Sequence, residues 1–484
     1  MNRYSFLIFT LIIAFCSCMT PESTLLSVKN LKCTINEQPN ATRENAAFFS
    51  WQITSEHRNQ LQSAYQIVVA INPDDLKTSK NILWDSGKIT SDKSALVLGD
   101  GLELKSAQSY FWKVKIWNQD GKETEWSEPA SIKTGLFLEQ DWAEAKWIGY
   151  KDLPAEKRMV PGVHGNGDKL GDKCVDRPVV PLFRKEFEVS ENLESATLYI
   201  SGLGQYEASI NGEKVGNAFL TPGWTNYDKT VFYNSYDVTS MIRPGKNAVG
   251  AIVGNGFCNI NRERYRKLVI AFGEPKLIAQ LRLRNKDGSE KILVSGADWK
   301  ASPSPITFTS IYGGEDYDAR LEQTGWNQAN FNDQSWQQAV LVTPPSGKLT
   351  EEKDYPLEIK DTFSAKTIKK LNDGAYLYDF AQNASGIVEI KVQGKKGTEI
   401  RLTPSELITK DGQPNQSATG SPNYFSYILK GDGIEIWKPR FSYTGLRYVK
   451  VEGAVPDSEK SATDAARLIE MKLLHNRNST PQTG

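Results

Sequence analysis

The densest set of groups able to do chemistry is acidic. Glu315, Asp316 and Asp318 fall within four residues, and carboxylates that close together can hold calcium or move protons. Arg320 follows at once to neutralise one of them, and loop carboxylates often satisfy backbone N–H groups. The structural reading of this cluster is therefore preferred. A second set, Trp224, Asn226, Tyr227 and Asp228, suits carbohydrate. An indole face stacks on the C–H surface of a sugar, and Asn and Asp bridge hydroxyls or a calcium ion. Calcium is thus a candidate ligand, with no cofactor required. Against this stands the ordinary role of Trp: in a β-rich chain with 12 of them, each is first a core anchor. His57 and His164 have no nucleophile or carboxylate at useful spacing and suggest no triad. Gly254-Asn255-Gly256 lacks the strand-to-helix setting of a phosphate loop. No catalytic residue emerges.

The elements that must hold these residues read as strands. Over residues 24–140, Ala64 to Val69 and Tyr110 to Trp117 alternate, with turn signals at Asp85-Ser86-Gly87 and Gln119-Asp120-Gly121. This stretch resembles a fibronectin type III module, whose plain role is spacing. Residues 142–345 continue the strand-turn rhythm. Asn211-Gly212 is a two-residue hairpin signal, because a type I′ turn needs φ > 0 at both positions. The domain resembles a jelly-roll of the galactose-binding type, with residues 151–181 as a surface loop. Residues 350–455 alternate again, at Gly386 to Val392 and Arg447 to Val451. A short helical pattern spans Ala462 to Leu468, and residues 456–484 read as a connector that frays after His475. With no periodic helix of useful length, the fold class is all-β: tandem β-sandwich domains.

Charge is balanced, 58 basic against 58 acidic residues, which leaves no basic stripe for nucleic acid. Residues 1–23 read as an export signal. The apolar run Phe6 to Phe15 is too short to span a bilayer. Ser17 before Cys18 is similar to a bacterial lipoprotein site, so Cys18 is the expected lipid attachment point and the chain is expected in the cell envelope, at the membrane through that anchor. Cys33, Cys174 and Cys258 allow one disulfide or buried thiols.

Several motifs, in order, resemble the bacterial α-L-rhamnosidases of glycoside hydrolase family 78. They are Phe183 to Phe187, Tyr206 to Gly212, Thr221 to Asp228, and Gly254 to Phe257, where the family has Gly-x-Gly-Trp. Gly314 to Arg320 with Gly325-Trp326, Asp379 to Asn383, and Lys438 to Val449 follow. The resemblance covers about residues 25–484 and implies a concanavalin-like sandwich at 350–455. In the family a helical toroid follows and carries two catalytic carboxylates for inverting hydrolysis of terminal α-L-rhamnose. No stretch like the toroid's Asp-x-Pro-x-Arg-Asp-Glu is present. The resemblance thus implies accessory domains, inactive alone, whose partners are a rhamnose-containing glycan and a separately encoded catalytic part. The other reading is a stand-alone carbohydrate-binding lipoprotein. An apolar surface is expected beside the third domain.

Overall fold

Tyr110, Trp112, Val114 and Ile116 occupy alternate positions of the strand Ser109–Asn118, and all four face inward and are buried. A strand has a period of two, so this spacing places one row of side chains on one face. The computed structural model describes residues 26–36, 45–459 and 465–478. The chain divides into two units, Met1–Phe137 and Leu138–Gly484. Cys18 and the rest of the export signal lie outside the described residues.

In the first unit, Leu26–Asn36, Ala46–Ser55 and Val97–Leu98 form one sheet. Gln62–Ala70 and Ser109–Asn118 centre a second, with Trp84–Asp85, Ile89–Thr90 and Ala130–Lys133 beside them. Phe49, Trp51, Ile67, Val69 and Trp112 fill the space between, Phe49 and Trp112 with ring centroids 4.7 Å apart. The Trp51 indole N–H donates to Gln62 at 3.0 Å, so its polar end is paired as well as buried.

The second unit holds three main sheets. A six-stranded sheet runs Glu213–Lys214, Gln205–Ile210, Gly245–Gly254, Pro181–Val189, Lys300–Pro303, Gln337–Gln338. A seven-stranded sheet centres on Lys276–Asn285 and Leu193–Leu203. Phe183, Ile200, Ala251, Val253, Leu277 and Trp299 pack between these two faces. An eleven-stranded sheet contains Glu399–Ser405, Thr444–Glu452, Tyr376–Gln393 and Ala466–Asn478, over a core of Phe380, Val388, Ile390, Leu402, Phe425 and Val449. The expected hairpin closes at Asn211 and Gly212, with φ of 52° and 87°, and pairs Ile210 with Glu213. Among the described residues the only α-helix is Pro73–Thr78, and no helix is long and apolar enough to cross a membrane. Ile434 and Ile436 are exposed on the third sheet, and Leu407 on a separate two-stranded ladder with Pro414–Asn415.

Three expectations are corrected. Residues 151–181 are not all loop: Met159–His164 is a strand paired with Leu268–Ala271. Ile306–Ser310 and Gly314–Asp318, expected in the second domain, belong to the third sheet, where Gly314–Asp318 runs parallel to Phe425–Ile428. Lys348–Glu351 goes the other way, pairing in parallel with Thr230–Asp237. Most consequentially, Ala466–Asn478 is neither helix nor frayed connector. It is a strand between Tyr376–Gln393 and Leu357–Ser364, with Leu473 and Leu474 buried. Leu468, Met471, Leu473 and Leu474 supply enough apolar burial to hold it, and backbone pairing on both edges satisfies its polar groups.

Candidate functional site

Trp224 is the exposed Trp of the twelve, at 55%, while the others are buried or half-buried. Its indole stacks on Phe257 with centroids 4.2 Å apart and planes 4° apart. Phe257 meets Tyr312 edge-on at 5.7 Å, and Tyr312 lies 4.7 Å from Tyr265. The rings come from separate loops. The Trp224 loop is held by Glu352, whose carboxylate accepts the Gly223 N–H at 2.8 Å and the Asn234 side-chain N–H at 2.7 Å. Phe257 sits in a turn where the Asn255 carbonyl accepts the Cys258 and Asn259 amides. Tyr312 is at the tip of the Ile306–Ser310 and Gly314–Asp318 hairpin.

The other sequence-derived candidates do not share this surface role. Tyr227 is buried, edge-on to Phe272 at 5.2 Å, and burial drives its phenol far above the usual range. The Asn226 side chain accepts the Asp228 amide at 3.1 Å, closing its own turn. Asp228 accepts from Arg158 at 3.0 Å and from Ser346 at 3.1 Å. Of the four, Tyr227 alone is buried; Trp224, Asn226 and Asp228 are exposed, and Trp224 is the one that offers a ring. Phe257, Tyr312 and Tyr265 were missed because aromatic residues scattered over 88 positions carry no common spacing. The one available signal was Phe257 in the Gly-x-Gly-aromatic stretch.

The acidic motif is spent on structure. Glu315 is fully buried and accepts the backbone N–H of Arg440 and of Phe441, each at 3.1 Å to its nearer oxygen. Burial pushes its carboxyl up to about 7, with those amides and the Arg440 charge opposing. Asp316 pairs with the buried Arg264 at 2.5 Å and with Ser426 at 2.8 Å. Asp318 accepts the Arg320 amide and both arms of its guanidinium, which holds its carboxyl below the usual range. Asp379 is held the same way by Arg447, at 2.9 and 3.0 Å. Glu207 pairs with Arg440 at 2.5 Å and with Lys214 at 3.1 Å. Burial would raise its carboxyl, but the two cations outweigh that and leave it lowered. Among the described residues no group of three or more His, Cys, Asp or Glu is placed to hold a metal ion.

The motifs meet in space. Arg440 joins Glu207 to the third sheet, and Phe441 lies so close to Gly254 that a Cβ there would overlap its ring. A fixed ionic and aromatic joint of this kind positions elements, and it occupies the Glu207 and Glu315 carboxylates.

Three family models match: the Rha78A-like N-terminal immunoglobulin domain at residues 28–138, the α-L-rhamnosidase N-terminal domain at 191–361, and the bacterial α-L-rhamnosidase concanavalin-like domain at 369–470. This chain carries the β-domains of the bacterial α-L-rhamnosidases. An α-L-rhamnosidase of Formosa agariphila is 35% identical over 474 residues, 94% of this chain and 50% of that protein. The solved α-L-rhamnosidase of Dictyoglumus thermophilum superposes with a TM-score of 0.80 at 35% identity, covering 94% of this chain and 49% of that one. That of Streptomyces avermitilis, complexed with L-rhamnose, gives 0.79 at 25% identity, covering 94% and 58%. The chain spans about half the length of the relatives it matches. Its first domain, read from sequence as fibronectin type III, matches an immunoglobulin model; the two share the sandwich architecture.

Cys174 and Cys258 are free thiols, and burial raises Cys258 to about 12, which keeps it unreactive.

Proposed function

We propose that these residues are the glycan-holding and scaffolding part of an α-L-rhamnosidase that removes terminal α-L-rhamnose from plant glycans with inversion. The acid and base of that reaction lie outside the described β-domains, so the 484 residues alone do not hydrolyse rhamnosides. One observation carries this reading: Glu207, Glu315, Asp316, Asp318 and Asp379 are each committed to an arginine or to backbone amides. An inverting pair needs two carboxyls flanking a bond and a water, and none of these five is free to serve. A catalytic part, separately encoded or continuous, is the natural partner.

The test is direct. The purified chain is incubated with an aryl α-L-rhamnoside, and release should stay at background, since acid and base each contribute about 10²–10⁴ in rate. Turnover that persists through repurification, and that falls on substituting one of these carboxylates, overturns the proposal. The open face of Trp224 favours a binding role on its own account, as in a carbohydrate-binding lipoprotein. In either case we place the chain in the cell envelope, anchored by lipid at Cys18.

A further inference from the structure

We propose that a cleft in the third domain is a site for a neutral, fully hydroxylated hexopyranose. The inference rests on the glycan reading above and adds to it a unit other than the deoxy sugar. The cleft has a volume of about 390 Å³, at the small end of the roughly 300–1,000 Å³ typical of small-molecule sites. Its floor is the strand pair Glu399–Ser405 and Thr444–Glu452, in which Thr403 lies opposite Lys450 and Arg401 opposite Glu452. Its far wall carries Gln413, Gln416 and Ser421, on the segment that contains the short strand Pro414–Asn415. Gln416 fixes that wall. Its side-chain N–H groups donate to the carbonyls of Pro404 at 2.8 Å and Asn423 at 2.7 Å, and its Oε1 accepts the Asn423 amide at 3.2 Å.

The charges are arranged around one ammonium. Lys450, its side chain 13% exposed, donates to Asp373 at 2.7 Å, and Gln413 donates to the same carboxylate at 3.1 Å. Glu452 stands 3.7 Å from the Lys450 Nζ, beyond hydrogen-bond reach, which leaves its oxygens to accept from a ligand. Two carboxylates against one ammonium give the cleft a surplus of negative charge, which disfavours a uronate, a phosphate or a sulfate. Arg401 is drawn aside onto the Tyr424 ring, with its guanidinium 4.3 Å from the centroid. What remains suits hydroxyls. Glu452 accepts one O–H while Lys450 donates to the neighbouring oxygen, so the pair fits a vicinal diol. Thr403 and Ser421 add hydroxyls that both donate and accept. On the same strand face as Thr403, the buried Ser405 Oγ lacks a partner, and a ligand hydroxyl satisfies such a group directly or through water. Among the described residues no aromatic ring lines the cleft. Recognition is therefore by hydroxyl edges and not by stacking, and a methyl in place of the C6 hydroxyl would strand polar groups.

The probes are D-galactose, D-glucose and D-mannose, titrated into the full chain with calorimetry and saturation transfer to the sugar protons as readouts. The tightest of the three is then compared with its own 6-deoxy and 6-carboxylate analogues. We expect that hexose to bind at about 1–10 mM, as suits a polar ligand of about a dozen heavy atoms, and both analogues to bind more weakly. Glu452 is nearly half exposed, so Glu452→Ala should fold as the parent does. It should weaken binding about tenfold, and Thr403→Val about threefold. Asp373→Asn combined with Glu452→Gln leaves the Lys450 charge unopposed, and this variant should bind the uronate at least as well as the hexose. Absence of a signal from all three hexoses at about ten times that concentration overturns the site. So does unchanged binding in a folded Glu452→Ala protein. A 6-deoxy analogue that binds as well as its parent hexose overturns the hydroxyl assignment. A uronate that binds the unmodified chain more tightly, or that the double variant still refuses, overturns the charge argument. Hydrolysis of the aryl rhamnoside is scored separately, so that reading and this site can each fail alone.

Discussion

Glu315 accepts the backbone N–H of Phe441 at 3.1 Å from a fully buried position, and so fixes the ring that lies over Gly254. This carboxylate, for which the sequence favoured a structural role over ligand binding, is the fastener between two stretches of chain 126 residues apart.

That fastener makes stability depend on pH. The Glu315 carboxyl rises from 4.5 to about 7 on folding, chiefly through burial. The folded state therefore holds its proton more tightly than the unfolded chain, and this site's contribution falls as pH rises from 4.5 through 7, then levels. Glu315→Gln removes the titration. Relative to the parent, the variant should gain on the order of 3 kcal/mol between pH 4.5 and pH 8. Urea midpoints of both proteins at pH 4.5, 6 and 8 measure it, and a gap independent of pH would contradict the assignment.

Gly254→Ala should destabilise the second unit. Its Cβ would overlap the Phe441 ring, and relief requires moving a buried aromatic. Overpacking of this kind costs about 1–3 kcal/mol. A lowered thermal midpoint is the expected result, and pairing the change with Phe441→Leu should recover part of it.

The Ala466–Asn478 strand should resist trypsin although it contains Arg467 and Lys472. Its backbone is paired on both sides and its apolar residues face the core. Leu473→Ala should cost about 2–5 kcal/mol, the range for a fully buried leucine. Early cleavage at Arg467 or Lys472 in the parent protein would show that the strand is not docked.

Glu352→Ala should loosen the Trp224 loop without unfolding the sandwich. It would strip the partner from the Gly223 amide and from Asn234, at about 1–3 kcal/mol. Red-shifted Trp emission with unchanged far-ultraviolet dichroism is the expected signature. Emission identical to the parent's would mean that Glu352 does not position the ring.

Cys18 is expected to be the lipidated amino terminus. Intact mass of the membrane fraction should begin at Cys18 with acyl chains attached, whereas a soluble product cut elsewhere would refute the anchor.

Sequence reasoning reached the strand class because alternation is a local signal: the buried row Tyr110, Trp112, Val114 and Ile116 declares itself. It reached the turn at Asn211-Gly212 for the same reason, since φ > 0 selects those residues. Sheet membership is not local. Nothing in Gly314 to Asp318 says that its hydrogen bonds go to Phe425–Ile428. The pattern inverts at Ile434–Trp437, where Ile434 and Ile436 face solvent while the buried Glu435 takes the Tyr427 hydroxyl and the Lys430 and Gly431 amides. The strand at Ala466 was misread because its alanines and charges fit a short helix as well as they fit a strand. At the site, Trp224 was legible as a type of residue, but its stacking partner depended on loops that meet only after folding.

The exchange of strands between sheets has a bearing on inheritance and engineering. Ile306–Ser310 and Gly314–Asp318 leave the region of the second sandwich to complete the third, while Lys348–Glu351 crosses back. The sequence order of domains is thus not a set of separable parts. Recombination at the apparent boundary near residue 345 would hand one product a sheet without its edge and the other an orphaned hairpin. Shuffling among relatives should succeed when 138–478 moves as a block, and the segment before 138 is the piece free to be exchanged or lost.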